Sequence, residues 1–129
     1  MCDLVKNETE RIESRFLEPA CGQGAFLIEI LRRKLAVVSS RYAATQSEWE
    51  RHAAIAVSSL YGIDILADNV TLCRNHLYDT FLTAYQTLFP RTMKPACCRA
   101  VRYLLATNIL WGDALTLQTP DDSARPIGF

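Results

Sequence analysis

The sequence predicts an α/β fold of three parallel strands with helices on both faces, the arrangement of half a doubly wound sheet. Three observations carry this expectation. Short apolar runs end at Glu18, Asp64 and Asp113, and helical patterns fill the stretches between them. Apolar strands that alternate with helices pair in parallel through right-handed crossovers. A chain of 129 residues suffices for one domain with a single core.

The elements follow in order. Asp3 to Arg11 is charged and fits a helical turn or two. Arg15-Phe16-Leu17-Glu18 is a short apolar run stopped by Pro19, read as a buried strand. The loop Pro19–Gly24 leads to a helix from Ala25, with Leu27, Ile28, Leu31, Leu35 and Val38 on one face. Arg32-Arg33-Lys34 lies towards its C-terminal end, where cations complement the dipole, and reads as a solvated helix end rather than a DNA contact.

Ser39 to Gln46 is polar and loop-like, and Ser47-Glu48-Trp49-Glu50 fits a capping box opening a helix to about Val57. Leu60–Asp64 reads as the second strand. Leu66, Val70, Cys73, Leu77, Phe81, Ala84 and Leu88 trace the clearest amphipathic helix, closed by Pro90. Pro95 suits the first turn of a short helix to Leu105. Asn108–Trp111 is the third strand, and Gln118–Phe129 is an irregular tail.

Composition excludes several classes. Fourteen basic and fourteen acidic residues cancel, so the chain lacks the broad positive surface of a non-specific DNA binder. The N-terminus has no signal-peptide core, and no apolar run approaches the ~20 residues needed to span a bilayer. Cys2, Cys21, Cys73, Cys97 and Cys98 form no C-x-x-C pair and no metal spacing with His52 or His76. Reduced thiols in a cytoplasmic protein without a metal are expected. His52 and His76 read as helix residues, Trp49 and Trp111 as core or edge packing, and Cys97-Cys98 as helix packing.

The acid at each strand end is the main chemical signal. In a parallel sheet these ends lie side by side, and a core does not ask for carboxylates there. A ligand with an ammonium group, ribose hydroxyls and an exocyclic amine would use all three as acceptors. S-adenosylmethionine carries these groups. Gly22 and Gly24 allow close backbone approach, and the following helix offers free amides to a carboxylate. A tight strand-to-helix turn without a ligand uses the same glycines. A dinucleotide site fits less well: Leu27 stands where the third fingerprint glycine belongs, and Asp64 lies well beyond the ~20-residue spacing of that fingerprint.

Phe16-Leu17-Glu18-Pro19-Ala20-Cys21-Gly22-Gln23-Gly24-Ala25-Phe26-Leu27 resembles the first motif of the N6-adenine-specific (and some N4-cytosine) DNA methyltransferases of bacterial restriction–modification type. Gln23 departs from the small polar residue more common there. Tyr61-Gly62-Ile63-Asp64-Ile65, with Asn69 and Cys73-Arg74 downstream, resembles the second motif, and Gly112-Asp113-Ala114-Leu115 the third. The first is the most specific of the three.

The resemblance implies a partial Rossmann-like methyltransferase fold over residues 1–117, with a helical insertion at about 40–58, and S-adenosylmethionine as cofactor. Glu18 would lie near its methionine end, with Ala20, Cys21, Gly22 and Gly24 forming the loop beside it. Asp64 would take the ribose hydroxyls, Ile65 would pack on the adenine ring, and Asp113 would accept from the adenine amine beside Ala114. Phe26 would either shape the pocket or pack in the core.

In this family an Asn/Asp-Pro-Pro-Tyr loop holds the target amine and stacks the flipped base. No Pro-Pro dipeptide occurs in this sequence. The resemblance therefore implies the cofactor-binding piece of an adenine-specific enzyme, with no catalytic residue of its own and inactive alone. DNA would be reached only through a missing domain or second chain. An exposed sheet edge would favour self-association or a completing chain. The alternatives are a non-catalytic, degenerate methyltransferase-like module of a restriction–modification or phage system, and a small-molecule or RNA methyltransferase.

Overall fold

Three short strands lie parallel in the order β1-β2-β3: β1 Phe16–Glu18, β2 Leu60–Asp64 and β3 Ile109–Trp111. Helices α1 (Ala25–Tyr42) and α2 (Gln46–Ser58) connect β1 to β2, and α3 (Ala67–Leu88) and α4 (Pro95–Asn108) connect β2 to β3. The computed structural model describes residues 11–112. The expected N-terminal helical turns as far as residue 10, Asp113, Ala114 and the irregular tail lie outside the described residues.

Register partners in a parallel pair share a face. Phe16 pairs with Leu60, Gly62 with Ile109 and Asp64 with Trp111, so these residues look one way. Leu17 pairs with Tyr61 and Ile63 with Leu110, and these look the other way. Leu60 and Ile109 join the helix-covered core, and Phe16 and Trp111 pack against it. Leu17 is 57% exposed, and Ile63 is buried outside that core. Among the described residues, helices therefore cover one face of the sheet, not both. The strand order steps across the sheet in one direction, so two right-handed crossovers return on the same side. The first strand is correspondingly half-exposed rather than buried.

The helices form one cluster, with α1 against α2 and α3, and α4 against α2 and α3. Along α3 the buried stripe is Val70, Cys73, Leu77, Phe81 and Tyr85. It drifts off the expected stripe at both ends: Leu66 is exposed, while Ala84 and Leu88 only flank the core. Trp49 is fully buried, stacked on Tyr85 and edge-on to Phe89. Its Nε1 donates to Ser39 Oγ at 3.1 Å.

Two polar groups depart from expectation. The helix α1 runs on to Tyr42, and Lys34 sits on its buried stripe rather than at a solvated end. Lys34 Nζ donates to the carbonyls of Ile12 and Ser14 and to Ser59 Oγ, tying the segment that leads into β1 to the one that leads into β2. Arg33 instead pairs with Glu29 at the surface.

The expected capping box at Ser47 does not form, because α2 begins at Gln46 after Thr45, without a side-chain cap. Glu50 faces inward and accepts hydrogen bonds from Tyr85 Oη, Gln46 Nε2 and Lys94 Nζ. Burial resists ionisation of Glu50, but these donors outweigh it and hold its carboxyl below the ordinary value of 4.5. Its contribution to stability is present above that value and is lost as the pH falls through the folded-state pKa.

Burial, and secondly the bond to Glu50, push the Tyr85 phenol up to about 12 from 10.0. The stability this adds is complete below pH 10 and declines as the pH rises towards 12. A spectrophotometric titration of the folded protein should show one phenol ionising near 12, absent from Tyr85→Phe. Ionisation of every tyrosine near 10 in the folded chain would contradict the assignment.

Candidate functional site

The carboxyl ends of β1 and β2 meet at the loop Pro19–Gly24. Its backbone is fixed from below: Cys21 N donates to Ile63 O at 2.9 Å, and Gly22 N to Asp64 Oδ2 at 2.9 Å. Gly22 and Gly24 both adopt positive φ, 54° and 97°. They differ in what surrounds them. A Cβ on Gly24 would stand 3.0 Å from Cys73 Sγ, so this glycine is needed for α1 to start against α3. A Cβ on Gly22 would meet nothing within 4 Å, so its backbone borders open space. The loop thus has a packed side and an open side.

Asp64 is 8% exposed and already serves the protein. Besides Gly22 N, its carboxylate accepts from Leu66 N at 2.8 Å and Asn69 Nδ2 at 3.4 Å. It joins the glycine loop, the turn after β2 and the first turn of α3. Oδ1 takes the bonds from Leu66 and Asn69 and Oδ2 the bond from Gly22, so the remaining acceptor capacity is on Oδ2, and its position is set by the loop. Glu18 is half-buried and accepts from Ala20 N at 3.2 Å. Ala20 itself is exposed, whereas Cys21 is buried behind the loop.

The first turn of α1 has neither an acidic residue nor a side-chain cap. Its leading amides and the positive end of its dipole remain available to an anion. Phe26 is 39% exposed, which excludes the core reading, and Ile65 is 56% exposed. The structure therefore gathers Glu18, Ala20, Gly22, Asp64 and Ile65 around the strand ends, while Asp113 and Ala114 lie outside the described residues.

Two residues to which the sequence assigned no functional role, Trp111 read as packing and His76 as a helix residue, also reach this region. Trp111 Nε1 donates to Ile65 O at 2.8 Å, pinning the turn after β2 to the end of β3. His76 Nδ1 lies 2.8 Å from Gln23 O, fastening the loop to α3. Neither has a local signal, since both partners are distant backbone carbonyls. Arg74 binds the Ile109 carbonyl through Nε at 2.9 Å and the Ala106 carbonyl through Nη2 at 3.2 Å, closing the end of α4. His52 stacks on Tyr42 with ring centroids 3.8 Å apart.

A cleft of about 520 Å³ opens elsewhere, between α1 and α3, lined by Ile28, Arg32, His76, Asp79 and Thr80 among others. Among the described residues no cluster of His, Cys, Asp and Glu could hold a metal, and no helix is long and apolar enough to cross a membrane. In comparisons with known proteins, no family model, curated protein or solved structure matches the chain.

Proposed function

We propose that this chain is the S-adenosylmethionine-binding portion of an adenine-specific DNA methyltransferase, built on a Rossmann-like sheet. The observation that carries the reading is the loop Pro19–Gly24, whose open side is held over the strand ends by the bond from Gly22 N to Asp64. Gly22 and the amides beginning α1 suit a carboxylate, Asp64 and Glu18 suit hydroxyl and ammonium donors, and exposed Ile65 suits an apolar ring. When bound, the cofactor supplies an electrophilic sulfonium methyl. The chain's own residues hold and orient it; transfer to adenine N6 calls for an Asn/Asp-Pro-Pro-Tyr loop, and this sequence has no Pro-Pro dipeptide.

A non-catalytic module is the second reading, favoured by the exposure of Leu17 on the sheet face opposite the helices. Calorimetric titration of the chain with S-adenosylmethionine separates the two. Saturable binding is expected, weakened about fivefold to tenfold in Ile65→Ala, which removes roughly 1–1.4 kcal/mol of apolar contact. Ile65 is exposed, so its truncation should leave the melting temperature nearly unchanged. A folded chain that takes up no cofactor would favour the binding module.

A further inference from the structure

Over the whole chain the charges cancel, but along one stretch they do not. Residues 80–112 contain Arg91, Lys94, Arg99 and Arg102 and no aspartate or glutamate. Lys94 is paired with Glu50. Arg99, Arg102, Tyr103 and Ala106 are all exposed and follow the i, i+3, i+4, i+7 spacing of one face of α4. At 72%, Tyr103 is the most exposed large apolar side chain among the described residues.

Beside this face a cleft of about 340 Å³ opens between α3 and α4, walled by Thr71, Arg74, Asn75, Tyr78 and Arg102 among others. No carboxylate lines it, and Asp79, the next acid along α3, lines the separate cleft against α1. Both guanidinium groups are already held in place. Arg74 binds the carbonyls of Ile109 and Ala106 through Nε and Nη2, and its Nη1 makes no hydrogen bond among the described residues. Arg102 lies over the Tyr78 ring, 3.9 Å from its centroid, and has no ion pair among the described residues. Both cations keep donors for an outside acceptor, and their fixed geometry lowers the ordering cost of using them.

We propose that the α3–α4 cleft and the exposed face of α4 form a contact surface for the phosphate backbone of duplex DNA. Arg102 and Arg74 Nη1 take one phosphate at the cleft, with the Asn75 amide as a neutral donor. Arg99 and the Tyr103 phenol take its neighbours along the strand. The rise from Arg99 to Ala106 is about 10 Å, the axial length of about three nucleotides of one strand. Such contacts fix register on the duplex without reading its sequence. The cleft lies at the entry to β3, where Arg74 holds the Ile109 carbonyl, and not at the carboxyl ends of the strands. It is a second contact, separate from the ligand site. Phosphate recognition stands on these residues alone; the choice of DNA rests on the methyltransferase reading.

The test is fluorescence anisotropy of the full chain with a labelled duplex of about 20 base pairs, in about 50 mM sodium chloride without cofactor. Saturable binding is expected with a Kd of about 10–100 µM, weakening as salt rises. Arg102→Gln should weaken it about fivefold and lower the slope of log Kd against log salt by about one; adding Arg99→Gln should lower the slope by about two in all. Arg32→Gln removes the same charge from the exposed side of α1 and should change affinity by less than about twofold. All three arginines are exposed, so the melting temperatures should stay near that of the parent. Equal weakening by Arg32→Gln and Arg102→Gln, or no binding by the folded parent chain, overturns the proposal. Calorimetric binding of inorganic phosphate without binding of the duplex would reveal a small-anion site and overturn the assignment to DNA. Tighter binding of an RNA duplex of the same sequence would overturn it too. A chain that takes up S-adenosylmethionine but no duplex sinks this surface alone, and one that takes up the duplex but no cofactor sinks the cofactor reading alone.

Discussion

Replacing Lys34 with alanine should lower the melting temperature by roughly 15 °C or more. The ammonium is fully buried and donates to Ile12 O, Ser14 O and Ser59 Oγ. Removing it takes the donor from the buried Ile12 carbonyl, at about 1–3 kcal/mol for a buried group left unpaired, breaks the bonds to Ser14 O and Ser59 Oγ, and leaves a cavity where the stem was. Those acceptors lie just before β1 and just before β2, so their loss uncouples the segments that lead into these neighbouring strands. Lys34→Met restores the stem without the donors and should recover less than half of the loss. Arg32→Ala, an exposed neighbour, should change stability by no more than ~0.5 kcal/mol. Thermal denaturation of the three variants checks this, and a Lys34→Ala chain melting within a few degrees of the parent would refute it.

The second large effect concerns Asp64. Its carboxylate accepts from Gly22 N, Leu66 N and Asn69 Nδ2, so Asp64→Ala should cost about 3 kcal/mol and release the glycine loop. Ligand binding should vanish in that variant even if the carboxylate never touches the ligand. Asp64→Asn keeps one carbonyl oxygen for Leu66 N but turns an amide towards one of the other donors; about half the cost is expected. Thermal melts paired with amide exchange at Gly22 measure both. If Asp64→Ala retains parental stability and a protected Gly22 amide, the carboxylate does not hold the loop. Weakened binding in Ile65→Ala is the cleaner sign of a ligand contact, because that side chain is exposed and carries little of the fold.

The alternation of strands and helices, and the parallel pairing, were legible from periodicity and strand-end residues. The face of the sheet that the helices cover was not, because it follows from strand order, which the pattern leaves open. Lys34 shows a signal that was present but outweighed. It continues the spacing of Leu27, Leu31 and Val38, yet its charge and its neighbours Arg32 and Arg33 argue for solvent. Glu50 likewise shares the buried face of α2 with Trp49, Ala53 and Val57, although its place after Ser47 suggests a cap. In both cases distant acceptors or donors satisfied the buried group, and no local window contains them. At the site, the motif residues were legible individually. That Asp64 is spent on holding the loop, and that Trp111 and His76 brace it, depends on contacts more than 40 residues apart.

The sequence contains two tryptophans, and the fold assigns them to different events. Trp49 lies in the aromatic stack with Tyr85 and Phe89, so its emission reports whether the helix cluster is intact. Trp111 is only half-buried and hydrogen-bonded to the carbonyl of Ile65, so its emission reports the turn beside the strand ends. The molecule carries two intrinsic optical probes, one for global unfolding and one for local change at the rim, each readable in a chain where the other is replaced by phenylalanine.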